Sequence, residues 1–211
     1  MVRIDPETNE VISTLSTRKM PIQGRLISSA GKLWLIDESG KALTGVDLRS
    51  EKPEAELRLP GVCPQLASQP AEGDATLWAV CPAEDKLLRI DPAVPEVTGE
   101  VELAGADNAS VGEDVWVAFE GGVAQVDPES LEVLAVYELY ARFGGAIHAT
   151  DDEVWVREAE GHFLGRIDPD QQEIVETIEA PDLPSGGDVL VVGDSVWATA
   201  YDQSTIVQLT R

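Results

Sequence analysis

The stretch DEVWVREAEGHFLGRIDPDQQEIVETIEA, residues 152–180, contains the pattern that decides the fold. Short runs of β-branched and aromatic residues alternate with clusters of Gly, Asp, Pro and Gln, which is typical of short strands joined by turns. Together with the residues just before it, this stretch predicts four consecutive strands, at about 146–149, 154–158, 163–167 and 174–178.

The tryptophan of this stretch recurs along the whole chain. Five tryptophans, Trp34, Trp78, Trp116, Trp155 and Trp197, follow one another at intervals of 44, 38, 39 and 42 residues. Self-similarity at such a period indicates a repeat protein. No segment shows a capped helical periodicity, so the predicted class is all-β. Four-stranded units that repeat around a central axis are the blades of a β-propeller.

The number of strands predicts how the ring closes. Two N-terminal strands (2–5 and 11–15), sixteen in four full units and three at the C-terminus give 21, close to the 20 of five blades. We therefore predict one domain of five blades, at about 20–60, 61–104, 105–140, 141–181, and 182–211 with 1–19. Strand 11–15 would be the outer strand of the last blade. One strand is surplus, so a fragment of a six- or seven-bladed ring is the alternative.

The repeat unit resembles a known group of propeller repeats. Its clearest copies are VGEDVWVAF at 111–119 with VAQVDPESLEVLAVYEL at 123–139, and VVGDSVWATAYDQSTIVQL at 191–209. These are similar to the YVTN-type and streptogramin-lyase-like (NHL-like) β-propeller repeats, and the resemblance covers nearly the whole chain. It implies a binding platform, a sensor domain or, rarely, an enzyme, in an extracytoplasmic or secreted setting. The sequence itself has no secretory signal pattern and leaves a cytoplasmic setting open.

The lyase members of this group carry metal and acid–base chemistry on a Pro-His-Gly at the start of inner strands and on a Glu that ends the Trp strand. The matching strand starts here read GGAI at 144–147 and GGDV at 186–189, without histidine. Glu158 alone matches the strand-ending Glu. We therefore predict no catalytic residues, and the enzyme alternative is a metal-assisted lyase or hydrolase centred on His148 and Glu158.

The charge of the chain limits its partners. There are 39 acidic and 15 basic residues, a net charge of −24, which repels phosphate backbones and anionic lipid headgroups. We expect no nucleic-acid binding, no membrane insertion and no cofactor. The predicted connections between the second and third strands of the units carry carboxylates that would suit a divalent cation, although no metal motif surrounds them. They are Asp37, Glu38, Glu84, Asp85, Glu120, Glu160 and Asp202.

Four Asp-Pro pairs look at first like candidate ligands. Asp5, Asp91, Asp127 and Asp168 each precede a proline between two predicted strands. Asp followed by Pro is the preferred start of a type I turn. Because each pair belongs to a different unit, the four carboxylates would be distributed around the ring. They are predicted to turn the chain rather than to share an ion.

The fourth unit has the most promising binding residues. The connection before it carries Tyr140, Arg142 and Phe143, and its own second connection carries Glu158 and His162. These connections leave a propeller on the same face, and His148 in the innermost strand would face the central channel. We predict a monomeric, non-enzymatic module that binds a protein, a peptide or a glycan here. The competing interpretation is an ordinary solvated loop.

The two cysteines, Cys63 and Cys81, lie in neighbouring predicted strands. If Leu66 is opposite Trp78 in an antiparallel pair, Cys63 is opposite Cys81, close enough for a bridge. We predict a disulfide; two reduced, buried cysteines are the alternative. A disulfide would favour an oxidising, extracytoplasmic compartment.

Overall fold

The computed structural model describes residues 2–14, 26–68, 76–139, 146–158, 162–183 and 186–211. These residues form 21 strands and one short 3-10 helix, Pro82–Glu84. None of their helices has the length and apolar character needed to cross a bilayer. The strands are β1 (Val2–Ile4), β2 (Val11–Thr14), β3 (Ile27–Ser29), β4 (Lys32–Ile36), β5 (Ala42–Asp47), β6 (Pro53–Arg58), β7 (Gln65–Ser68), β8 (Leu77–Cys81), β9 (Lys86–Asp91), β10 (Glu96–Glu102), β11 (Asn108–Val111), β12 (Val115–Phe119), β13 (Gly122–Val126), β14 (Val133–Tyr137), β15 (Ile147–Ala149), β16 (Val154–Arg157), β17 (Leu164–Asp168), β18 (Glu173–Ile178), β19 (Val189–Val192), β20 (Ser195–Ala200) and β21 (Thr205–Thr210).

The strands form antiparallel sheets in chain order. The N-terminal hairpin is β1–β2, sheets 1 to 4 are β3–β6, β7–β10, β11–β14 and β15–β18, and sheet 5 is β19–β21. The first strands of successive sheets are neighbours, from β3 through β7, β11 and β15 to β19. They therefore line a common axis, and the sheets radiate from it. The four strands of sheet 4 agree with the sequence-based bounds to within one residue.

The tryptophans hold successive sheets together. Trp34, Trp78, Trp116 and Trp155 are between 0% and 4% exposed, and each packs on the following sheet. Trp155, for example, shares a core cluster with Val189, Val196 and Ala198 of sheet 5. Small and β-branched side chains in the inner strands of one sheet thus form the surface that covers the indole of the sheet before it. The four apolar core clusters lie at these interfaces, and the burial of apolar area is the main stabilising term in folding.

The Asp-Pro pairs turn the chain, as predicted. In each of these turns the Asp Oδ1 accepts backbone N–H groups that follow it, as Asp127 does from Glu129 at 2.9 Å and from Ser130 at 2.6 Å. Asp47, which is followed by leucine, makes the same turn. The residue four positions after the aspartate is left-handed in four of these turns: Asn9, Glu51, Leu131 and Gln172 have φ of 58°, 56°, 65° and 53°. These aspartates lie at the ends of different sheets, so they do not form a common site.

Acidification should weaken the Asp127 turn. The N–H groups of Ser130 and Glu129, with the Ser130 hydroxyl, hold the pKa of Asp127 below its usual value of 3.8. A carboxyl with a lowered folded pKa stabilises the fold while ionised, and that stabilisation is lost as the pH falls through the folded pKa. We expect Asp127→Ala to lower the urea midpoint at pH 7, and its difference from the parent to shrink below pH 3.8. A pH-independent difference would contradict this. Glu129→Ala, which removes a charge but not these bonds, is the control.

The predicted ring closure is wrong for the described residues, which form no closed ring. β2 pairs with β1, and β21 pairs with β20; the expected pairing of residues 11–15 with the last sheet is not formed. The cause is the Asp5 turn, in which the Asp5 N–H donates to Glu10 O at 2.9 Å. That turn folds β2 back on β1. The hairpin then contacts sheet 1, where the Ser13 hydroxyl donates to Glu51 Oε1.

Cys63 and Cys81 are joined by a disulfide, with their Cα atoms 3.9 Å apart. The strand register that predicted it is wrong by one residue, because Ala67 rather than Leu66 is opposite Trp78. The ladder ends at Gln65 and Val80, so Cys63 lies beyond it, in the connection that precedes β7. There the chain no longer follows strand geometry, and the two cysteines meet despite the shifted register. Both are fully buried.

Removal of the disulfide should be costly. It closes a loop with a sequence separation of 18 residues. Restricting a loop of this size in the unfolded chain stabilises the fold by about 3 kcal/mol in the chain-entropy model. We expect the double variant Cys63→Ala/Cys81→Ala to lose about that much free energy of unfolding in urea titrations. Reduced and oxidised parent protein with equal midpoints would contradict the prediction.

Candidate functional site

The inner strands line an open central channel. The channel has a volume of about 810 Å³ and is lined by residues of β3, β7, β11 and β15, with Leu26 before β3, Gly112 after β11, and Thr150 and Asp151 after β15. Ser28, Ser68 and Ser110 contribute hydroxyls to the wall, and His148 lies on the same wall. His148 thus lies beside the channel, on the innermost strand of sheet 4.

A second candidate region is the face where two kinds of connection meet: those between the second and third strands of each sheet, and those that lead to the next sheet. In sheet 2 the N–H groups of Leu103 and Gly105 donate to Asp85 O and Asp85 Oδ1, each at 2.8 Å. In sheet 1 the Cys63 N–H donates to Gly40 O at 2.8 Å. The two kinds of connection thus form one surface, as the sequence predicts for a propeller.

Sheet 4 places a histidine between two glutamates on this face. Glu158 directly follows β16 and is 1% exposed. His162, with its side chain 40% exposed, has Nδ1 3.5 Å from Glu158 Oε1 and Nε2 3.2 Å from Glu179 Oε1. Glu179 follows β18 and is 68% exposed. We call Glu158, His162 and Glu179 the loop site. It combines one buried carboxylate with an accessible imidazole and an accessible carboxylate.

Arg157 is buried next to the loop site, with 1% of its surface exposed, and it bonds to the connections that carry the site residues. Its Nη1 donates to Glu158 O and, at 3.0 Å, to Phe163 O, the two ends of the connection that carries His162. Its Nη2 donates to Leu183 O at 3.1 Å and its Nε to Thr199 O at 3.0 Å. The guanidinium also lies 4.1 Å from the centre of the Phe163 ring. Burial lowers the pKa of Arg157 from its ordinary value.

The predicted site residues therefore separate into groups. Glu158 and His162 are brought together, while His148 lies on the channel wall, whose lining does not include Glu158. Tyr140, Arg142 and Phe143 lie outside the described residues.

Sequence reasoning missed Glu179 and the anchoring role of Arg157. Glu179 belongs to a different connection, so no local motif contains both it and His162. Arg157 carries one weak signal, a cation at the end of the apolar run VWV, where side chains are buried. Its partners are backbone carbonyls, which every residue carries, so these hydrogen bonds cannot be predicted from residue types.

Three of the predicted carboxylates of this face, Asp37, Glu84 and Asp85, accept backbone N–H groups. Asp37 Oδ1 accepts the N–H groups of Lys41 and Ala42, both at 3.0 Å, and Glu84 Oε1 accepts the Val62 N–H at 3.3 Å. Glu160 lies outside the described residues. Within the described ranges, no group of three or more His, Cys, Asp or Glu side chains is arranged to hold a metal ion.

Comparison with known proteins gives the fold. No protein-family model and no curated protein sequence matches the chain. Among solved structures, a catalytically inactive virginiamycin B lyase from Staphylococcus aureus aligns with a TM-score of 0.75 at 14% identity over 97% of this chain. The chain has a β-propeller fold. BamB from Moraxella catarrhalis (TM-score 0.69, 12% identity, 92% of this chain) and the Pan2 WD40 domain from Neurospora crassa (0.63, 12%, 99%) resemble this propeller as well.

These similarities concern the fold alone, since the identities are low. The propeller described here spans 71%, 60% and 68% of the virginiamycin B lyase, BamB and Pan2 chains respectively. It therefore matches only part of each of those chains. The identity of its ligand has to be argued from its own side chains.

Proposed function

We propose that this propeller is a non-enzymatic binding module that recognises a positively charged protein or peptide segment at the loop site. The observation that carries the proposal is the arrangement of Glu158, His162 and Glu179. A buried carboxylate is held under an accessible imidazole, and a second, accessible carboxylate lies on the other side of the ring. Arg157 fixes both connections, so the site is preorganised. A preorganised site loses less entropy when it binds.

The charge of the protein supports a cationic ligand. The net charge of −24 produces an attractive field for a basic segment. Exposed Asp182 and Asp202 lie in connections on the same face and add to that field near the site. Such a field mainly raises the association rate, and its effect weakens with salt.

The proposed setting is extracytoplasmic. The disulfide between Cys63 and Cys81 supports it, because such bonds persist in oxidising compartments and are rare in the reducing cytosol.

The proposal includes no catalytic step. A lyase-type centre would need His148 and Glu158 together, and these two residues lie on the channel wall and under the loop site, respectively.

The proposal is tested with synthetic peptides of matched length: a Lys/Arg-rich sequence, its acidic counterpart and a neutral one. We expect the basic peptide alone to bind in calorimetric titrations, more weakly at high salt. Glu179→Lys should reduce the affinity about fivefold, because an exposed ion pair contributes roughly 1 kcal/mol. Equal binding of all three peptides would contradict the proposal, and so would binding only to an immobilised glycan panel.

A matched variant separates a local effect from the change in net charge. Glu129 is exposed in the Asp127 turn, at the other end of its sheet from the connections that form the loop-site face. Glu129→Lys changes the net charge by the same amount as Glu179→Lys. We expect it to leave the affinity for the basic peptide nearly unchanged. An equal loss in both variants would show non-specific attraction instead of a site.

A further inference from the structure

Sheet 5 presents an apolar outer face. Leu190, Val192, Trp197 and Ile206 are 48%, 55%, 39% and 68% exposed. Leu190 is directly opposite Trp197 in the β19–β20 pair, and Ile206 is opposite Thr199 in the β20–β21 pair. Side chains alternate between the two faces of a strand. These residues therefore share one face, while the alternate positions pack on sheet 4.

This face is the equivalent of an interface that the molecule forms four times. Trp34, Trp78, Trp116 and Trp155 occupy the same strand position as Trp197, and the following sheet buries each of them. Trp197 is about ten times more exposed than Trp155, at 39% against 4%. Sheet 5 thus presents the tryptophan side of a sheet-to-sheet interface, and no following sheet among the described residues covers it.

The opposite end of the array presents a second apolar surface. In the N-terminal hairpin, Val2, Ile4, Val11 and Ile12 are 52%, 53%, 58% and 53% exposed. The hairpin contacts sheet 1 through Ser13, which bonds to Glu51. In this structure it therefore lies beside sheet 1, at the far end of the array from sheet 5. The two ends of the arc therefore expose different sets of apolar side chains, and in the hairpin the exposed Arg3 lies between Val2 and Ile4.

We propose that the outer face of sheet 5 binds the N-terminal hairpin of a second copy of this chain, head to tail. The hairpin would lie over Trp197 as a following sheet lies over the other four tryptophans, which continues an interface already present in the molecule. A head-to-tail contact leaves one unused surface on each end of the dimer, so association proceeds to longer oligomers unless a ring closes. The net charge of −24 opposes association of copies, so salt should strengthen it.

The test is analytical ultracentrifugation of the full chain, from micromolar to submillimolar concentration, in low and high salt. We expect the average mass to rise to at least twice that of one chain, and to rise further at high salt. Two blocked variants give the direction of the contact: Trp197→Lys/Ile206→Lys at the sheet end and Ile4→Lys/Ile12→Lys at the hairpin end. Each should be monomeric alone, and an equimolar mixture should form a dimer and stop there.

Three outcomes overturn the proposal. The first is a parent protein that stays monomeric at every concentration, which is the state predicted from the sequence. The second is a blocked variant that still self-associates, and the third is a mixture of the two variants that forms no dimer. Because all four substituted residues are at least 39% exposed, the variants should stay folded, and circular dichroism with Tm checks that lost association is not lost folding. The peptide-binding proposal concerns the loop site and is tested separately, so either proposal can fail alone.

Discussion

Replacement of Arg157 by methionine is expected to lower the free energy of unfolding by about 3 to 5 kcal/mol. Methionine fills a similar volume but donates no hydrogen bond. The carbonyls of Glu158, Phe163, Leu183 and Thr199 would all lose the donor that Arg157 provides. A buried polar group left without its partner costs about 1 to 3 kcal/mol, so several such losses in one place make an unusually large effect.

The stability lost at position 157 should depend on the shape of the side chain as well as on its charge. Arg157→Lys keeps the positive charge but replaces the planar fork by one ammonium group, which cannot reach carbonyls on several sides. We expect an intermediate loss. If the Arg157→Lys variant kept the full stability of the parent, the charge alone would explain the role of Arg157, and the anchoring described here would be wrong.

Arg166 is the matched control, an arginine of the same sheet. Its side chain is 33% exposed and its Nε bonds Glu176 Oε2 at 3.0 Å. Its ion pairs with Glu176 and, at 3.8 Å, with Glu153 are open to solvent on the Arg166 side and contribute little, so Arg166→Met should cost about 1 kcal/mol, clearly less than Arg157→Met. Urea titrations of both variants, followed by circular dichroism, give the comparison. Similar losses in Arg157→Met and Arg166→Met would contradict the prediction.

The sequence was most informative where the structure depends on local chemistry. The turn at Asp127 requires only a carboxylate and the N–H groups two and three residues later, so residue identity and spacing are sufficient to predict it. The strands of sheet 4 alternate with such turns, and their bounds were predicted to within one residue. The spacing of the tryptophans, roughly 40 residues, likewise reflects a contact that each of the first four sheets makes with the next.

Features that depend on long-range geometry could not be predicted in the same way. The register between β7 and β8 was wrong by one residue, although Cys63 and Cys81 do pair, because the composition near Leu66 and Ala67 does not distinguish two adjacent registers. The ring closure failed because β2 is a plausible outer strand for more than one partner, and the Asp5 turn decides between them. The contact between His162 and Glu179 joins two connections that no sequence motif links.

The tryptophans allow the sheet-to-sheet interfaces to be compared directly. Trp116 is 1% exposed and packs on Ile147 and Val154 of sheet 4, with its ring centre 5.6 Å from that of Tyr137. We expect Trp116→Ala to lower the free energy of unfolding by about 3 to 5 kcal/mol, since it removes a large side chain and leaves a cavity. Trp116→Phe, which retains much of the ring, should lose clearly less and keeps the test informative if the alanine variant does not fold.

Trp197→Ala is the decisive comparison, because the same residue type occupies the same strand position in a sheet that no other sheet of the described residues covers. At protein concentrations low enough to keep the chain monomeric, its loss should be clearly smaller than that of Trp116→Ala, since Trp197 is already 39% exposed and its truncation removes less buried apolar area. At high concentration the proposed contact would bury Trp197, and the difference between parent and variant should then grow. Equal losses for Trp116→Ala and Trp197→Ala at low concentration would mean that sheet 5 is covered within a single chain, which would refute its assignment as the open end of the arc.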